Sequence, residues 1–198
     1  SRLQVSRTGV REAIRVLEAH GVLRSEVGSG RGAGTFVAAL PRAALERFLR
    51  LHVALANFPV HDVVETRVLL ERASAALAAE RADAEALAEL EELLTRMDRP
   101  GASREDFNDA DTEFHVAIAR AGGNALFAEM TGAIRASLRA PILEAFTKVE
   151  DWDAMADMLR AQHREILDAL EQNPMSCADR LDWPAKLRLL EGFRTRDS

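Results

Sequence analysis

The strongest constraint on this chain lies in residues 6–37, where a short helical pattern gives way to two β-prone runs joined by glycines. Ser6 suits a helix cap, Val10, Ile14 and Leu17 recur at helical spacing, and Gly21 ends the pattern. Arg7 and Arg11, four apart, share its outer face. Val22–Ser25 and Thr35–Ala38 then read as strands around Gly28-Ser29-Gly30-Arg31-Gly32-Ala33-Gly34, a wing with a basic tip. A helix that opens with Arg suits the DNA major groove, where Arg donates a bidentate pair to guanine. The expected DNA-facing residues are Ser6, Arg7, Thr8 and Arg11 on the helix and Arg31, Gly32 and Gly34 in the wing. An ordinary surface helix with scattered Arg has the same periodicity.

Gly28-x-Gly30-x-x-Ala33 also fits a dinucleotide-binding fingerprint formally. That motif needs a helix opening directly after it, to meet the pyrophosphate. Thr35-Phe36-Val37 is strand-like instead, which argues against a nucleotide site.

Charge divides the chain at the same place. Residues 1–40 hold six Arg against three Glu, +3, leaving 20 basic and 29 acidic residues, −9, for residues 41–198. A basic head with an acidic remainder fits a protein that holds phosphates at one end only. At 198 residues with 47% hydrophobic and 29% charged content, the chain reads as globular and as two units, 1–40 and 41–198. No apolar run approaches membrane-spanning length and no signal-peptide pattern is present. The single Cys177 excludes an intramolecular disulfide, so a cytoplasmic protein is expected.

From Pro41 the periodicity is helical throughout. Helices are expected near 42–57, 60–81, 83–97, 104–121, 124–146 and 151–172, with a further one near 176–193. Pro100-Gly101, Gly122-Gly123 and Asn173-Pro174 mark breaks. The expected fold is mainly α: a winged helix-turn-helix fragment followed by an all-α antiparallel helical bundle.

Polar residues interrupt the apolar stripes of this bundle. Asp111 and His115 sit one turn apart in the series Phe107, Asp111, Phe114-His115, Ile118, and His163 falls in the series Met155, Leu159, His163, Ile166, Leu170. Such groups facing a core are costly unless paired, hydrogen-bonded or metal-bound. One carboxylate and two imidazoles suit Zn²⁺, Ni²⁺ or a similar divalent ion. A hydrogen-bonded Asp111–His115 pair beside a satisfied core His163 explains the same spacing. Arg67, in register with Val63, Leu70 and Ser74, is the expected clamp for a carboxylate, with Glu71 and Asn124 beside it. An Arg67–Glu71 ion pair and an Asn124 helix cap are the alternatives. Arg135 and Arg139 are weaker candidates for the same pocket, with a solvated position as the favoured reading.

The run Val5-Ser6-Arg7-Thr8-Gly9-Val10-Arg11-Glu12-Ala13-Ile14-Arg15-Val16-Leu17-Glu18, with Gly34-Thr35-Phe36-Val37, resembles the winged helix-turn-helix of GntR-family bacterial transcription regulators. Gly9 stands where that family often has Pro, and the chain opens in mid-motif, so Ser1–Gln4 reads as the tail of an incomplete domain. Asp111-Thr112-Glu113-Phe114-His115, Gly123-Asn124 and Gln162–Ala169 are similar to the FCD ligand-binding domain of the FadR-type branch. The resemblance implies a metal on Asp111, His115 and His163 with a third His from the last helix, and an effector acid on Arg67. It also implies a homodimer on a double-stranded DNA operator, and the helix at 42–57 implies the seven-helix form. Residues 164–198 contain no His; the family's position falls near Ala185, after Asp182-Trp183-Pro184. Water, the effector's carboxylate or Asp182 would then complete the coordination sphere.

Together these readings describe a DNA-binding transcription regulator, not an enzyme, whose helical part senses a small carboxylic acid through a bound divalent metal. The other classes are a metal-dependent hydrolase on Asp111, His115 and His163, and a non-sensing dimerisation module. The hydrolase lacks a general base such as the Glu of H-E-x-x-H and leaves the basic head without a role.

Overall fold

The computed structural model describes residues 6–26, 34–37, 42–99 and 101–172. Helix α1 (Arg7–Ala19) is followed by an antiparallel pair, β1 (Leu23–Glu26) and β2 (Gly34–Val37), with Leu23 opposite Val37 and Glu26 opposite Gly34. Six helices follow: α2 (Arg42–Ala54), α3 (Val60–Arg81), α4 (Ala84–Met97), α5 (Arg104–Ala121), α6 (Ala125–Thr147) and α7 (Trp152–Gln172). The architecture is mainly α, as the periodicity predicts. Arg31 and Gly32 of the wing tip and the helix expected at 176–193 lie outside the described residues.

Local chemistry sets the boundaries. Ser6 caps α1 by accepting the Gly9 amide at 3.0 Å, and Gly21 ends the helix at a left-handed φ of 73°. Asp83 and Asn124 cap α4 and α6, so these helices begin one residue after the positions predicted from periodicity. Ser103 and Asp106 form a reciprocal capping box on α5. The helix expected to reach residue 57 stops at Ala54, and Ala56 adopts φ 55° in the turn that follows.

The two regions bury their apolar residues unequally. No residue of α1 is buried, and Val10, Val16 and Leu17 stay exposed, as do Phe36 and Val37 on β2. The helical region instead has a continuous core in which Leu90, Met97, Phe107, Phe114, Leu159 and Leu167 are fully enclosed. Each such side chain contributes about 1.5–3 kcal/mol of burial free energy. A second cluster, Val63, Val64, Ile134 and Leu138, joins α3 to α6, and Leu49 and Val53 of α2 pack against it. Gly122 lets α3 and α5 approach closely: a Cβ there would stand 3.0 Å from the Leu77 side chain and 3.2 Å from the Ser74 carbonyl. Among the described residues no helix is long and apolar enough to cross a membrane.

Candidate functional site

Between these two hydrophobic clusters the core contains charge. Arg67 and Glu71 come from α3, Asp111 and His115 from α5, Arg135 from α6 and His163 from α7, all buried. Each sits on the inward stripe of its helix, so the apolar periodicity that folds the bundle also carries these groups inside.

Two arginines and two carboxylates neutralise one another. Glu71 Oε1 accepts from Arg67 Nε at 2.9 Å and from Arg135 Nε at 2.5 Å, and Arg135 Nη1 donates to Asp111 Oδ2 at 2.6 Å. Burial pushes the Arg67 pKa down, helped by the positive charge of Arg135 and opposed by Glu71 and Asp111. Burial acts the same way on Arg135, but Glu71 and Asp111 outweigh it and hold that pKa above its ordinary value. Arg135 is therefore the fixed cation that ties α3, α5 and α6 together.

The imidazoles complete the cluster. His163 Nδ1 lies 2.5 Å from the Leu159 carbonyl, which only accepts, so Nδ1 carries a proton and donates it. His115 Nδ1 lies 3.3 Å from Glu71 Oε2, a charge-pair distance without hydrogen-bond geometry. Both Nε2 atoms then turn toward Asp111 Oδ1, His163 at 2.8 Å and His115 at 3.8 Å. One donor atom from each of Asp111, His115 and His163 lies within 4.8 Å of the others. In neutral tautomers these are three lone-pair donors aimed at one volume, with His163 Nδ1 anchored behind, the arrangement of a histidine–carboxylate metal site. The residues present fit a divalent ion. A protonated His163 would instead make the same 2.8 Å contact as a charged pair with Asp111.

Three of the sequence-read residues, Asp111, His115 and His163, are thus brought together from two helices. Arg67 and Glu71 join them, and the predicted intrahelical ion pair is present. Asn124 stands apart as the α6 cap, accepting from Leu126 N at 3.1 Å and Phe127 N at 3.2 Å. Arg7, Thr8 and Arg11 are exposed on α1, and Gly34 opens β2. The reading of Arg135 as solvated is wrong: it is 2% exposed. Its place in the series Ala128, Thr131, Ile134-Arg135, Leu138 is the signal that identifies it. Arg139, four residues on, is exposed and paired with Asp109 at 2.9 Å, as a solvated reading requires.

Residues 62–181 match the family described as the FCD domain. The HTH-type transcriptional regulator LutR of Bacillus subtilis is 32% identical over 123 residues, 62% of this chain and 54% of that protein. The Pup deamidase/depupylase of Mycobacterium tuberculosis is 29% identical over 158 residues, 80% of this chain but 30% of that protein. The chain therefore spans under a third of one relative and about half of the other. The solved structure of Streptococcus agalactiae GntR shares the fold, with a TM-score of 0.66 at 24% identity over 98% of this chain and 84% of that one.

Proposed function

The chain belongs to the FCD-domain family, and on that premise we propose a DNA-binding transcription regulator of GntR type that senses a small carboxylic acid. The supporting observation is the buried convergence of Asp111, His115 and His163 beside the paired arginines. In this reading residues 1–40 are the DNA-binding unit and residues 41–198 the effector-binding and dimerisation unit.

Asp111, His115 and His163 would hold a divalent ion, Zn or Ni. When bound, that ion supplies a Lewis-acid position for a carboxylate oxygen. Arg135 orients Asp111 by holding its other oxygen, and Glu71 stands beside His115 Nδ1. Arg67 and Arg135, although charge-paired with Glu71 and Asp111, carry further N–H groups suited to an acid in two-point geometry. At the other end, Arg7, Thr8 and Arg11 present donors on the first turns of α1, and Ser6 holds that end of the helix through its cap. In the wing, Arg31 would reach phosphate, with Gly32 and Gly34 allowing close approach. Two copies would read paired half-sites as a homodimer, with effector binding biasing the placement of the two heads.

Metal titration with elemental analysis tests the site. One ion per chain is expected in wild type, with marked loss in His115→Ala and His163→Ala and tighter metal binding in the presence of acid. Retention of stoichiometric metal by both variants, or none in wild type at neutral pH, would establish the cluster as a charged hydrogen-bonded core instead.

A further inference from the structure

We propose that the outer face of α2 docks an amphipathic helix of another protein, one that carries apolar residues at heptad spacing with Asp or Glu beside them. α2 contributes no residue to the buried charged cluster.

This helix has two apolar stripes. Leu49 and Val53 turn inward against Val63, Val64, Ile134 and Leu138. Ala44, Phe48, Leu51 and Leu55 form the second stripe, at steps of four, three and four, and Phe58 follows three residues on. That alternation is how a helix presents a narrow seam to a partner helix. Phe48, Leu51, Leu55 and Phe58 stay 51%, 56%, 60% and 38% exposed. Elsewhere among the described residues of the helical region only Leu69, Leu126 and Met158 are large, apolar and exposed, so residues 48–58 form a patch rather than scatter. At about 200 Å² per side chain, the four offer roughly 400 Å² of apolar surface, close to the apolar share of one partner in a standard interface.

The end of the seam is ordered in advance. The His52 ring lies between Phe48 and Phe58, with centroids 4.3 and 5.6 Å away, and its Nδ1 accepts from Asn57 Nδ2 at 2.9 Å. The His52 carbonyl also accepts from the Asn57 amide at 2.9 Å. A surface already ordered loses less entropy on binding.

Charge selects the occupant. By helical spacing Arg47 and Arg50 line one edge of the stripe; both are exposed, and neither has an ion pair among the described residues. Glu46, the only acid on α2, is already engaged. A second copy fits this edge badly, because an antiparallel pair about a two-fold axis puts the same flank of both helices on one side and gathers four arginines there. A bilayer takes a broader apolar face than this seam offers. A helix with acidic residues next to its own seam covers the stripe and pairs both arginines.

Fluorescence anisotropy on the full chain tests this with two designed helical peptides that carry Leu at the a and d positions. One has Glu at the flanking e and g positions and the other Lys, and like charges keep each from self-association. The Glu peptide should bind at least about tenfold tighter than the Lys peptide. Leu51→Ser should weaken that binding at least about tenfold, and Arg47→Glu with Arg50→Glu should reverse the preference toward the Lys peptide. These side chains are exposed, so the melting temperature should stay that of wild type. Binding of neither peptide, equal binding of both, or a preference unmoved by the charge reversal would overturn the inference. A wild-type assembly that Leu51→Ser converts to monomer in sedimentation would assign the seam to a second copy and overturn it too. Tighter binding to phosphatidylglycerol vesicles than to either peptide would assign the seam to a membrane, with the same result.

Discussion

Arginine has opposite surroundings in the two regions of this molecule. In α1, Arg7, Arg11 and Arg15 stand in solvent on a helix with no buried residue, and Arg15 reaches Glu12 at 3.5 Å. In the helical region Arg67 and Arg135 are enclosed and share Glu71, and Arg135 also holds Asp111. An exposed guanidinium keeps its hydration and is free to meet a phosphate or a base, while a buried one must be neutralised where it lies. The first arrangement suits recognition of a large external partner. The second suits a preformed site for something small.

The largest effect separating the two regions is expected at Arg135. Arg135→Ala leaves Glu71 and Asp111 buried without their common cation, so urea unfolding should show a loss of about 3–5 kcal/mol. A loss below 1 kcal/mol would mean that water reaches the cluster and that the contrast in burial is overstated. Arg11→Ala should instead leave the unfolding midpoint unchanged and cost about 1–3 kcal/mol of operator discrimination in competition binding. Unchanged affinity and sequence preference would remove Arg11 from the recognition face.

Helix caps give a smaller and more direct comparison. Ser103→Ala breaks the capping box of α5 and should cost about 1 kcal/mol of bundle stability, whereas Ser6→Ala should loosen α1 without moving the bundle's unfolding midpoint. The Asp106 carboxyl is held below its usual range by the Ser103 hydroxyl first and the Ser103 amide second. A depressed carboxylate stabilises above its unfolded pKa and loses that contribution as pH falls through the folded value, so the Ser103→Ala penalty should fade in acid. The smallest effect is expected at Arg139, whose exposed pair with Asp109 should be worth about 0.2–1 kcal/mol and weaken with salt. A larger, salt-independent loss in thermal unfolding would show that this surface pair belongs to the buried network.

The elements themselves were largely legible along the chain. Helices α3 and α5 fall on the residues that periodicity assigns them, because their ends are written in local chemistry such as Pro59, Ser103 and Gly122. The Asp111–His115 spacing is equally local, since four residues on a helix share a face. α2 was read three residues too long because nothing short-range in His52–Asn57 announces the turn at Ala56. Arg135 was misread for a different cause. Its own helix makes it a charged residue in an apolar stripe, and only Glu71 and Asp111, 64 and 24 residues away in sequence, make that position tolerable.

By itself the sequence determined the order of elements and the inward stripes, because hydrophobic period, caps and left-handed glycines act over a few residues. Tertiary structure alone decided that the stripes of α3, α5, α6 and α7 bring six polar side chains to one buried place, and which oxygen each cation takes. Electrostatic pairing in a low-dielectric core depends on distances of a few ångströms between helices, and that separation is set by packing rather than by any single stretch of chain.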